Sequence, residues 1–70
     1  MADMEPVSSE RISEYGYDRD TATVHVTFRK DGVRWQYRQV PEHVWEEFRL
    51  ASSKGKFIHD VLDHYDHGPA

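Results

Sequence analysis

Arg29, Arg34 and Arg38 are the residues of this 70-residue chain best suited to recognising a ligand, since a guanidinium is a planar fork of donors that matches phosphate. The segment Ser52-Ser53-Lys54-Gly55-Lys56 offers a second anion seat. It combines hydroxyls, two ammonium groups and the free amides of a helix start, and Gly55 permits close approach. Its spacing is not that of a phosphate-binding loop of the Gly-x-x-x-x-Gly-Lys type. Asp60, His64 and His67 fall at i, i+4 and i+7, so a helix would line up metal-capable groups on one face. Asp and His are equally what the polar side of a helix holds opposite Phe57, Val61 and Tyr65, and no metal or cofactor is assigned. Nucleophilic or acid–base catalysis has no candidate. No Ser stands beside an identifiable base, cysteine is absent, and Glu42, Glu46 and Glu47 read as acids near a helix N-terminus.

The elements that must position these residues follow from periodicity. Residues 1–10 are small, acidic and polar, and are expected to be a mostly disordered lead-in. A short strand is predicted over Arg11–Tyr17, followed by the turn-favouring Asp18-Arg19-Asp20-Thr21. Ala22–Phe28 alternates polar and apolar with period two, and Val33–Val40 resumes the alternation after an Asp31-Gly32 turn. Asp-Gly between two such runs is a strong hairpin signal. With a two-residue loop, Phe28 faces Trp35, Val26 faces Tyr37 and Val24 faces Gln39. Arg29 then stands opposite Arg34, and Arg38 opposite His25, on the polar side. Like charges so placed repel, and an anion relieves them. Trp35 and Tyr37 point to the apolar side as core rings rather than as a stacking platform.

Pro41 is expected in the first turn of a helix whose stripe is Val44, Trp45, Phe48 and Ala51. A second helix carries Phe57, Ile58, Val61, Leu62 and Tyr65, and residues 67–70 are read as a disordered tail. The expected architecture is α+β, with three antiparallel strands and two C-terminal helices on one sheet face, forming a single domain over residues 11–66.

Composition narrows the classes further. Thirteen acids against nine bases give a net charge of -4, but the balance is uneven. Residues 1–28 carry two bases and six acids, 29–56 seven bases and four acids, and 57–70 three acids alone. The absence of cysteine excludes a disulfide framework, an iron–sulfur cluster and a thiol nucleophile. No apolar run approaches the roughly 20 residues of a membrane span, and the first residues lack the pattern of a secretion signal, so the default compartment is the cytosol.

Taken in order, Gly16-Tyr17-Asp18, Val24-x-Val26-x-Phe28, Trp35-Gln36-Tyr37 with Val40-Pro41, and Ala51-Ser52-Ser53-Lys54-Gly55-Lys56-Phe57 resemble the KTSC domain, a short bacterial and phage module named from the C-terminus of some lysyl-tRNA synthetases. The resemblance runs from about Ser9 to Tyr65. Two positions depart from the family pattern: Trp35 replaces a tyrosine, and His59 stands where an asparagine is expected. The synthetase context implies RNA binding. Together these readings give an expected non-enzymatic binding module for RNA or phosphate ligands, through Arg29, Arg34, Arg38, Ser53, Lys54, Gly55 and Lys56. Net acidity makes such binding weak or partner-assisted. The alternative is a protein-interaction or homodimerisation module using a sheet edge or the surface around Trp45 and Tyr65.

Overall fold

The alternation of Thr23–Phe28 becomes the central strand of a five-stranded antiparallel meander, in a computed structural model that describes residues 3–70. The strands are β1 (Glu5–Pro6), β2 (Ile12–Asp18), β3 (Thr23–Phe28), β4 (Arg34–Tyr37) and β5 (His67–Pro69), in spatial order β1-β2-β3-β4-β5. The helices are α1 (Glu42–Leu50) and α2 (Lys54–Asp60), followed by one 3₁₀ turn, Leu62–His64.

The α+β expectation holds, with five strands in place of three. The two additional strands come from the segments read as disordered. Glu5 pairs with Tyr15 and Pro6 with Glu14, and the Val7 amide donates to the Ser13 carbonyl at 3.1 Å. At the opposite edge Tyr37 pairs with His67 and Trp35 with Pro69, and the Ala70 amide donates to the Arg34 carbonyl at 2.9 Å. Met1 and Ala2 of the expected lead-in lie outside the described residues. Each edge strand contains a proline, Pro6 or Pro69, which presents no N–H.

The central hairpin forms with its register displaced by two residues. Val24 pairs with Tyr37, Val26 with Trp35 and Thr27 with Arg34. The closing pair is Phe28 and Val33, whose carbonyl accepts from the Phe28 amide at 3.0 Å, so the loop has four residues. A two-residue type I′ turn needs positive φ at both central positions. Only Gly32 adopts it (φ 70°), while the Asp31 carboxylate accepts from the Val33 amide at 3.1 Å. An even displacement leaves each side chain on its expected face. An irregularity between Ile12 and Glu14 in β2 turns both Ile12 and Tyr15 inward, where each is buried.

Both helices cover the apolar face. Val44, Trp45 and Phe48 of α1 join Ile12, Tyr15, Val24, Val26 and Tyr37 in one core with Ile58 and Leu62. Tyr17 stacks on Trp45 (centroids 5.6 Å apart, planes 10°), and its hydroxyl donates to the Val40 carbonyl at 2.6 Å, fixing the entry to α1. Trp45 is therefore interior (6 % exposed), not the surface aromatic of the dimerisation reading. Pro41 stands one position before the helix, with φ -60° and ψ 151°. The second helix is shorter than its apolar stripe suggests. Val61 leaves helical geometry (φ -121°, ψ -59°), and the 3₁₀ turn that follows keeps Leu62 fully buried. Among the described residues no helix is long and apolar enough to cross a membrane.

A candidate anion groove beside the second helix

The arginines expected to share a sheet face are used separately. Arg34 lies opposite Thr27, not Arg29, and its guanidinium is 3.4 Å from the Glu14 carboxylate, which also accepts from the Thr27 hydroxyl at 3.2 Å. Arg38 is not opposite His25, whose partner is Gln36. The Arg38 Nε donates to Asp66 Oδ2 at 2.8 Å, and this bond holds the Asp66 carboxyl below its ordinary range. Arg29 sits in the hairpin loop and spends its guanidinium on two carbonyls, Ser9 at 2.9 Å and Ile12 at 3.3 Å. Arg19 and Arg49 also lie within 4 Å of carboxylates, Glu42 for the first, Glu5 and Glu46 for the second.

Among the described residues, five basic side chains have no carboxylate within 4 Å: Arg11, Arg29, Lys30, Lys54 and Lys56. Three of them line one groove of about 650 Å³, whose walls are residues 8–11 and 52–56. Glu10 is the single acid in that lining.

Local chemistry builds each wall. On the first, the Ser9 hydroxyl accepts from the Arg11 amide at 3.2 Å, and the Arg29 amide donates to the Arg11 carbonyl at 2.9 Å. With its two guanidinium bonds, Arg29 thus ties down both ends of the Ser9–Ile12 segment, which bends at Glu10 and Arg11. On the second, Ser53 caps α2 by accepting from the Lys56 amide at 3.3 Å. The Lys54 ammonium donates to the carbonyls of Ala51 (2.6 Å) and Arg49 (2.9 Å), closing the C-terminus of α1. Partial burial lowers the Lys54 pKa. Gly55 brings the walls together, since a Cβ there would lie 3.3 Å from both Cβ and Nε of Arg11.

Of the seven residues singled out in the sequence, the fold brings Ser53, Lys54, Gly55 and Lys56 into this groove, uses Arg29 to brace it, and leaves Arg34 and Arg38 elsewhere in ion pairs. Arg11, Ser8 and Ser9 join the lining and were missed. Ser8 and Ser9 fell in the segment read as disordered, and no local signal announces their proximity to α2. The metal-capable trio is not assembled. Asp60 ends α2, whereas His67 belongs to β5, with its ring 5.2 Å from that of Tyr37. Among the described residues no group of three His, Cys, Asp or Glu is placed to hold a metal.

The KTSC domain model matches residues 8–65, from the first wall of the groove through α2 to the end of the 3₁₀ turn. The chain belongs to the KTSC domain family. The crystal structure of a KTSC domain protein from Yersinia pestis superposes with a TM-score of 0.92 at 35 % identity, covering 100 % of this chain and 99 % of that one. A protein of Tsukamurella paurometabola is 30 % identical over 59 residues, 84 % of this chain and 87 % of its own length. The groove thus lies within the KTSC domain, and its Ser52–Lys56 wall belongs to one of the four segments that carried the sequence resemblance.

Proposed function

We propose that this KTSC domain is a non-enzymatic module that binds the phosphate backbone of single-stranded RNA in the groove between residues 8–11 and 52–56. The observation that carries the reading is the distribution of uncompensated positive charge. Arg11, Lys54 and Lys56 converge on one concave surface, while Arg19, Arg34, Arg38 and Arg49 are taken up by carboxylates. Arg11 and Lys56 are the exposed members and the direct contacts. Lys54 acts mainly by holding the end of α1 that shapes the loop. The net charge of -4 opposes long-range attraction, so unaided affinity is weak.

The test is a titration with labelled single-stranded RNA at two salt concentrations. Each neutralised phosphate on a single strand contributes a slope of about -0.7 in log affinity against log salt, so the two direct contacts predict a loss of roughly sevenfold for a fourfold rise in salt. Arg11→Glu combined with Lys56→Glu abolishes binding on this reading, and Arg34→Glu leaves it nearly unchanged. Binding that ignores salt, or that survives the double reversal, overturns it.

A further inference from the structure

A second cavity, about 310 Å³, opens between the apolar face of β4 and α2, and Arg11 and Gly55 line both it and the anion groove. Its size is at the small end of the roughly 300–1000 Å³ of ligand pockets, room for one ring system and not for an oligomer. The walls are aromatic. Phe28 meets Trp35 edge-on with centroids 6.3 Å apart, and the His67 ring lies 6.1 Å from Trp35. Phe28 and Trp35 remain half-buried, while Val24, Val26 and Tyr37 beside them are buried.

Polar groups are set among these rings. Tyr37, only 2 % exposed, also lines the cavity and supplies a phenol. A phenolic hydroxyl can both donate and accept a hydrogen bond. The Asp63 carboxylate, an acceptor, and the Arg11 guanidinium, a donor, complete the rim. Burial raises the phenol's pKa most, Asp63 raises it further and Arg11 lowers it.

We infer that this cavity receives a single nucleobase of the ligand whose phosphate occupies the adjoining groove, with the base against Trp35 and Phe28 and its polar edge on the Tyr37 hydroxyl. The inference rests on the phosphate reading for its second half only. A nucleobase fits because it joins a planar π-face to an edge of mixed donors and acceptors, and the cavity offers aromatic walls, a hydroxyl, a carboxylate and a guanidinium. The shared Arg11 places a base pocket and a phosphate seat one side chain apart.

The experiment is a titration of the isotope-labelled chain with the ribonucleoside 5′-monophosphates, adenosine, inorganic phosphate and phenol, followed by NMR at the Trp35 indole N–H and the backbone amides of Ser53–Lys56. A monophosphate is expected to move both sets, adenosine the Trp35 signal alone, and phosphate the loop alone. Trp35→Leu lowers monophosphate affinity about tenfold or more and leaves the phosphate response intact. Tyr37→Phe, which keeps the ring and the packing, lowers it about fivefold. A loop response to phosphate with Trp35 silent to every base overturns the pocket and spares the groove. A Trp35 response to adenosine with the loop silent to phosphate supports the pocket and overturns the groove. Phenol binding as tightly as adenosine overturns the assignment to a nucleobase, and silence at both sites overturns both readings.

Discussion

Arg38 is joined to Asp66 twice, backbone to backbone at 2.7 Å and Nε to Oδ2 at 2.8 Å. The pair stands where the chain leaves the 3₁₀ turn to form β5, so a side chain that reads as a ligand contact in the sequence is engaged in docking the last strand. Arg38→Ala is expected to accelerate hydrogen exchange at the amides of residues 67–70 while leaving β3 protected. The same loss appears in acid. The folded Asp66 carboxyl titrates below its ordinary 3.8, so the tether is complete above that value and is lost as pH falls through the lower, folded one. Equal protection in wild type and variant would remove Arg38 from this role.

Lys54 carries a different expectation. Its ammonium closes two carbonyls at the end of α1, and Lys54→Met keeps the aliphatic stem while deleting both bonds. Stability is expected to fall by about 1 kcal/mol, read as a lower urea midpoint with unchanged slope. A midpoint equal to wild type means that water replaces the ammonium at no cost.

Gly55→Ala separates folding from binding. The new methyl lies 3.3 Å from Arg11, a flexible side chain able to move aside. Alanine is favoured over glycine inside a helix by about 1 kcal/mol, which offsets the crowding. The variant is expected to melt within a few degrees of wild type yet to bind RNA several-fold more weakly, because Arg11 is displaced from the groove. Unchanged affinity would show that Arg11 does not need its present position.

Tyr37 gives an alkaline signature. Burial first, and Asp63 second, push its pKa from 10.0 up to about 12. The folded state holds the phenolic proton more tightly than the unfolded chain, so this contribution to stability is intact below pH 10 and is lost as pH rises from 10 toward 12. Tyrosinate absorbance should show a last step beyond that of Tyr17, whose pKa burial also raises, and this last step should vanish in Tyr37→Phe. Ionisation of all the tyrosines near their ordinary value would contradict the buried phenol.

The strongest sequence signals were those that a period of two or 3.6 can carry. The faces of β3 and β4 were legible although the pairing was two residues off, because only an odd slip exchanges the sides of a strand. The loop length escaped because Asp31 keeps negative φ, a choice made by its own carboxylate on the Val33 amide. Strands of two and three residues have no periodicity to display, and β1 and β5 each contain a proline. The Ser53–Lys56 wall was legible because its chemistry is contiguous. Arg11 was not, since its place beside α2 depends on partners far away in sequence: Arg29 and Phe28, which hold its segment, and Gly55, which lies against its side chain.

The prolines at the two rims of the sheet have a consequence for the molecule when it is crowded. Recruiting another polypeptide into a growing cross-β stack requires an uninterrupted row of donors, and Pro6 and Pro69 each remove one from rims only two and three residues long. Both rims are thereby blunted as templates for a further strand.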